Sequence, residues 1–164
     1  DVSTRRITVT TPSLSPFMLG VAPDEPPLVG ADVFRDQGGT VTGGGNLAAG
    51  TIATLRATAA AGWEFTGWWE NGAEVTAAAE LTFTVATDRF LTATFRPVLV
   101  MEHGTPAPGS TRVTWPAHAD GWVPEMSADL TTWEPVSGVS TTGNLRAAVL
   151  PAEPGRCFVR LVHP

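Results

Sequence analysis

Three features of the sequence predict an all-β fold. Apolar residues alternate with threonine, arginine and glutamate over short runs; glycine-rich and Asn-Gly turn signals separate those runs; and only one alanine-rich stretch, Thr76 to Glu80, leaves room for a helical turn. The spacing predicts two small antiparallel β-modules in tandem, β-grasp-like or sandwich-like, behind an extended proline-rich N-terminal segment. The N-terminal segment is placed at 1–37, the first module at 38–101, a Pro/Gly linker at 102–110 and the second module at 111–164.

Within 1–37, Arg6 to Thr11 alternates like a strand, and Pro12, Pro16, Pro23, Pro26 and Pro27 then stiffen and interrupt the chain. The apolar cluster Phe17, Met18 and Leu19 in this segment needs cover, either from the protein's own sheet or from another chain, and is the candidate partner contact.

The first module opens on Gly38-Gly39-Thr40-Val41-Thr42-Gly43-Gly44-Gly45. Next, Leu55, Ala57 and Ala59 share one face of a strand and Thr54, Arg56 and Thr58 the other. Trp63 and Phe65 continue the pattern until Gly67, which signals a bulge that re-aims the following side chains, so that one of Trp68 and Trp69 is core and the other faces outward. Asn71-Gly72 predicts a type I′ hairpin, whose two central residues need positive φ. Leu81, Phe83 and Val85, then Leu91, Ala93 and Phe95, complete the alternating set.

In the second module Val113 and Trp115 share a strand face, and further short strands are expected at Trp122-Val123, Asp129 to Trp133, Leu145 to Leu150 and Cys157 to Leu161. Pro124 removes a ladder donor and so places its strand at a sheet edge.

The glycine-rich start, the Trp63-x-Phe65-x-Gly67-Trp68 core, the Asn71-Gly72 turn and the closing Leu91-Thr92-Ala93-Thr94-Phe95 strand resemble the divergent internalin-type B-repeat family of bacterial surface proteins. That resemblance implies an interchangeable structural unit and an extracellular, periplasmic or cell-surface setting, but little about mechanism. Ser127, Asp129, Leu130 and Trp133, with Phe158, Arg160 and Leu161, resemble the C-terminal modules that end secreted bacterial repeat proteins. The start at Asp1, without an initiator methionine or an apolar leader, reads as a mature form or an excised fragment.

Composition removes several chemistries. All ten basic residues are arginine, so Schiff-base, lysine-nucleophile and phosphate-loop lysine chemistry are excluded, as is a lysine-asparagine cross-link. A net charge of −6 with scattered arginines argues against nucleic acid, and no apolar run is long enough to span a membrane. A single cysteine forbids an internal disulfide, and Cys157 beside Phe158 reads as a small buried hydrophobe. His103, His118 and His163 with Glu102 and Cys157 lack ligand-pair spacing, so no metal or cofactor is expected. Glu64, Glu70, Glu74 and Glu80 read as a wet sheet face rather than as paired catalytic carboxylates, which need a substrate-sized cleft between them.

The tryptophans remain. Core filling is expected to claim at least four of the six, leaving Trp69, or Trp68 if the bulge falls elsewhere, with Trp122 behind it, as a candidate platform for stacking a sugar ring. Glu70 and Asn71 would supply hydrogen bonds beside Trp69. The leading expectation is therefore a non-enzymatic protein that works through contacts with other protein chains in a larger assembly. The alternative is a carbohydrate-binding module using an exposed tryptophan, and an enzyme is the third and least supported class.

Overall fold

Threonine-rich, β-branched runs punctuated by glycine fold here into strands, with no α-helix among the described residues; the protein is described by a computed structural model covering residues 26–34, 37–104, 106–150 and 157–164. The strand expected at Arg6 to Thr11 and the Phe17-Met18-Leu19 cluster lie outside the described residues.

The first half forms two sheets. β1 (Leu28–Val33), β2 (Gly39–Thr42), β3 (Gly45–Asn46), β4 (Ile52–Ala59), β5 (Trp63–Glu70), β6 (Ala73–Thr76), β7 (Glu80–Thr84) and β8 (Arg89–Pro97) are divided between a five-stranded sheet, β3-β1-β8-β5-β6, and a three-stranded sheet, β2-β4-β7. β1 was not anticipated from sequence, because Pro26 and Pro27 immediately precede it. It runs parallel to β8, with Val29 opposite Arg89 and Val33 opposite Ala93, whereas the other pairings in both sheets are antiparallel. Leu28 N–H is tied to the Asp88 carboxylate at 2.9 Å. The alanine-rich run forms no helical turn: Ala77 to Ala79 bend between β6 and β7, where the Ala78 N–H bonds the Thr76 hydroxyl and the Ala79 carbonyl accepts from Ala57 N–H.

The bulge and the hairpin fall where the sequence puts them. Along β5 and β8, Phe65 faces Phe95 but Gly67 faces Thr94, so Thr66 is the extra residue. A one-residue insertion reverses which side chains face the core. Hence Trp63 and Phe65 before the bulge point inward together with Trp68 after it, and Trp69 points out. Asn71 and Gly72 join β5 to β6 with φ of 51° and 80°, the two positive values a type I′ turn requires.

In the second half, β9 (Val100–His103), β10 (Thr111–Pro116), β11 (Val123–Ser127), β12 (Glu134–Pro135), β13 (Ser140–Thr142), β14 (Leu145–Leu150) and β15 (Phe158–Val162) form the sheets β13-β14-β10-β9 and β12-β11-β15. β9 takes in Glu102 and His103, which the sequence reading gave to the linker, and Gly104 N–H closes the β9–β10 loop on the Ser110 carbonyl at 2.7 Å.

Three expectations for this half are corrected. β11 is the middle strand of its sheet, not an edge. Pro124 is tolerated because its carbonyl accepts from Val136 N–H at 2.9 Å, so its missing donor faces the two-residue β12 side and leaves the ladder to β15 intact. Asp129 to Thr132 are bends rather than strand, because the Asp129 carboxylate captures the Thr131 and Thr132 N–H groups at 2.8 and 2.9 Å. Cys157 is exposed, because it lies ahead of β15 and outside its ladder.

The buried side chains of both halves form one cluster that includes Leu55, Trp63, Trp68, Leu91 and Phe95 from the first and Val113, Trp115, Ala148 and Leu150 from the second. The halves are stitched at Trp63, whose indole N–H donates to His118 Nε2 at 2.8 Å, and at Gly62 (φ 78°), where a β-carbon would sit 2.8 Å from the Pro116 ring. Three tryptophans, Trp63, Trp68 and Trp115, are buried, and Trp122 packs against the same core as the expected fourth. Trp122 and Trp133 are only half-buried, because Trp133 is covered on one face by the Arg160 guanidinium, 4.0 Å from its ring centre, and Trp122 opens on a cleft.

Candidate functional site

The outer face of the five-stranded sheet is where Trp69 stands. Thr66 and Thr94 lie beside it, and Thr66 Oγ1 donates to Thr94 Oγ1 at 2.8 Å, which in turn donates to the Gly67 carbonyl at 2.9 Å. Past that face the β10–β11 connection and the C-terminus rise and bring Trp122 and His163 over the sheet. Together they enclose a cleft of ≈ 370 Å³ whose walls include Trp63, Trp69, Trp122 and Phe95, with Gln37, Thr66, Thr94, Arg96 and His163 as its polar groups.

The aromatic walls are braced. Trp122 stands edge-on to Trp63, with ring centres 6.4 Å apart at 82°, and edge-on to His163 at 5.6 Å and 83°. Gln37 is anchored by its Nε2–H to the Asp120 carbonyl at 3.3 Å, while its Oε1 is buried with no hydrogen-bond partner. Arg96 is paired through Nε with Glu64.

The structure brings Trp69 and Trp122, the two candidate platform tryptophans, to one cleft. Glu70 and Asn71 do not line it. The Glu70 carboxylate is held in a two-pronged bond by Arg89, with Nε to Oε1 at 3.0 Å and Nη2 to Oε2 at 2.6 Å, and those hydrogen bonds keep its pKa below the ordinary value. Arg89 also lies 4.2 Å from the Phe83 ring centre, so this pair clasps the two sheets of the first half together. Asn71 is consumed by the turn. Glu64 and Glu80 likewise face arginines, Arg96 and Arg56, so three of the four glutamates of this region are ion-paired to separate partners.

Gln37, Trp63 and His163 were not recognised from the sequence as site residues; they come from three distant parts of the chain, and no short-range pattern links them. His118 accepts from Trp63, and among the described residues no group of three or more histidine, cysteine, aspartate or glutamate side chains is gathered closely enough to hold a metal ion. No described helix is long and apolar enough to cross a membrane.

The two-sheet first half, with its bulged, hairpin-closed Trp-rich strand, is a small all-β unit. Residues 30–99, from within β1 to just past β8, match the family model of the divergent InlB B-repeat domain. The match supports reading this stretch as a bacterial repeat-type structural β-domain. No curated protein and no solved structure matches the chain.

Proposed function

We propose that this protein is a non-enzymatic, extracellular or envelope-associated β-module protein that acts as a structural, adhesion or accessory subunit through contacts with other protein chains. The observation that carries the reading is a sheet edge with no further strand beside it among the described residues. β9 borders its sheet with all four residues exposed, and Val100 and Met101 present apolar side chains there, each about half exposed. An edge of this kind accepts a further strand from a partner. The B-repeat match and the scattering of ion-paired carboxylates favour a structural role over catalysis.

The test is the size and composition of the native species, isolated gently from its source envelope fraction and examined by light scattering with mass spectrometry of co-migrating chains. Recovery in a larger complex is expected. Association should weaken in Val100→Lys/Met101→Lys and in Phe17→Ser/Met18→Ser/Leu19→Ser. Any truncation must stop before Leu28, because β1 lies inside the five-stranded sheet. A lone monomer in the native preparation would sink this reading.

A second reading, a carbohydrate-binding module, is favoured by one observation: Trp69 is exposed and stands at an aromatic cleft.

A further inference from the structure

We infer that the cleft between the outer face of the five-stranded sheet and the β10–β11 connection is a binding site for a neutral, pyranose-based saccharide, held between Trp69 and Trp122. This rests on the carbohydrate reading above and gives it a location, a ligand charge and a second aromatic wall.

The cleft, at ≈ 370 Å³, is of the size that holds small ligands and combines apolar walls with a few convergent polar groups. A pyranose ring offers flat C–H faces and a rim of hydroxyls. The faces match indole rings, whose π-clouds attract polarised C–H groups. The rim matches the hydroxyls of Thr66 and Thr94, the Gln37 amide and the His163 imidazole.

Charge narrows the ligand class. Among the described residues no acidic side chain lines the cleft, which disfavours a cation, and the guanidinium that does line it, Arg96, is already paired with Glu64, which disfavours an anion. Gln37 also lines the cleft, and the bond from its Nε2–H to the Asp120 carbonyl fixes its amide before a ligand arrives. The bracing of Trp122 by Trp63 and His163 holds one wall in place before a ligand arrives, which lowers the ordering cost of binding.

The experiment uses the full chain and four oligosaccharide probes, cellohexaose, maltohexaose, mannohexaose and chitohexaose, read by titration calorimetry and tryptophan fluorescence. At least one should bind, with affinity reduced ~10-fold or more, about 1.4 kcal/mol, by Trp69→Ala and by Trp122→Ala, and unchanged in Trp133→Phe. Because Trp122 is half-buried, Thr66→Trp at an exposed lining position serves as a second block that leaves the core untouched. Binding lost in Trp69→Ala but intact in Trp122→Ala and Thr66→Trp would overturn the cleft and leave a flat Trp69 platform standing. No binding of any probe at ~10 mM would overturn both, since that excludes even millimolar affinity. Binding of tetramethylammonium in preference to every sugar would overturn the neutral-ligand assignment.

Discussion

Replacing Trp68 by alanine is expected to cost about 3–5 kcal/mol, and replacing Trp69 less than about 1 kcal/mol, although the two are neighbours in one strand. Trp68 is fully buried, lies opposite the equally buried Ala93, packs 5.9 Å from the Phe65 ring centre and donates its indole N–H to the Ala79 carbonyl at 3.3 Å. Its removal leaves an indole-sized cavity between two sheets that glycine turns and ladders hold apart, so collapse recovers little. Trp69, 36% exposed, lies on the other side of the bulge-shifted strand and leaves only surface contacts behind. With roughly 2–4 °C of melting temperature per kcal/mol for a chain of this length, Trp68→Ala should melt about 6–20 °C below the native protein, and Trp69→Ala within a few degrees of it. Thermal unfolding followed by circular dichroism reads both. Equal losses in the two variants would refute the placement of the bulge at Thr66, and with it the argument that one extra residue decides which indole is core.

Three further outcomes follow from named contacts. Glu70 has its pKa depressed by Arg89, so its contribution, about 1 kcal/mol for a partly exposed two-pronged pair, is present above the ordinary carboxylate range and is lost as pH falls through the lower folded value. Native protein should therefore lose more stability than Glu70→Gln on acidification from pH ~5 to ~2, and parallel unfolding profiles would contradict this. Gly38→Ala should cost about 2–4 kcal/mol, because Gly38 has φ of 89° and the new methyl would lie 2.4 Å from the Trp63 ring and 2.5 Å from Phe95 Cβ; a urea midpoint shift no larger than that of the open turn variant Gly72→Ala would count against it. Leu130 is an exposed residue held at φ 65° by the Asp129-centred turn, so Leu130→Gly should be neutral or stabilising by up to about 1 kcal/mol, and a clear loss in melting temperature would show that its side chain matters more than its backbone.

Much of the first half was legible from local chemistry. The alternation of Leu81, Phe83 and Val85, the burial of Leu91, Ala93 and Phe95, and the Asn71-Gly72 turn each express a preference that a few adjacent residues decide among themselves. β1 was missed because its partner β8 is about sixty residues away and parallel, and parallel pairing carries no hairpin signal. The bends at Asp129 were missed because a side chain there takes the backbone donors a strand would have used. Pro124 misled because the rule against proline in a central strand concerns only the neighbour its nitrogen faces.

The sequence by itself determined the all-β class, the strand-forming runs, the hairpin, and the requirement that Trp68 and Trp69 face opposite sides of their strand, since these depend on steric limits within a few residues. Only the tertiary structure decided that Trp69 rather than Trp68 faces out, that Trp122 and His163 close over the same sheet face, and that Gln37 joins the cleft they form. A cleft assembled from residues 37, 69, 122 and 163 depends on long-range packing around Trp63 and His118, which no local pattern encodes.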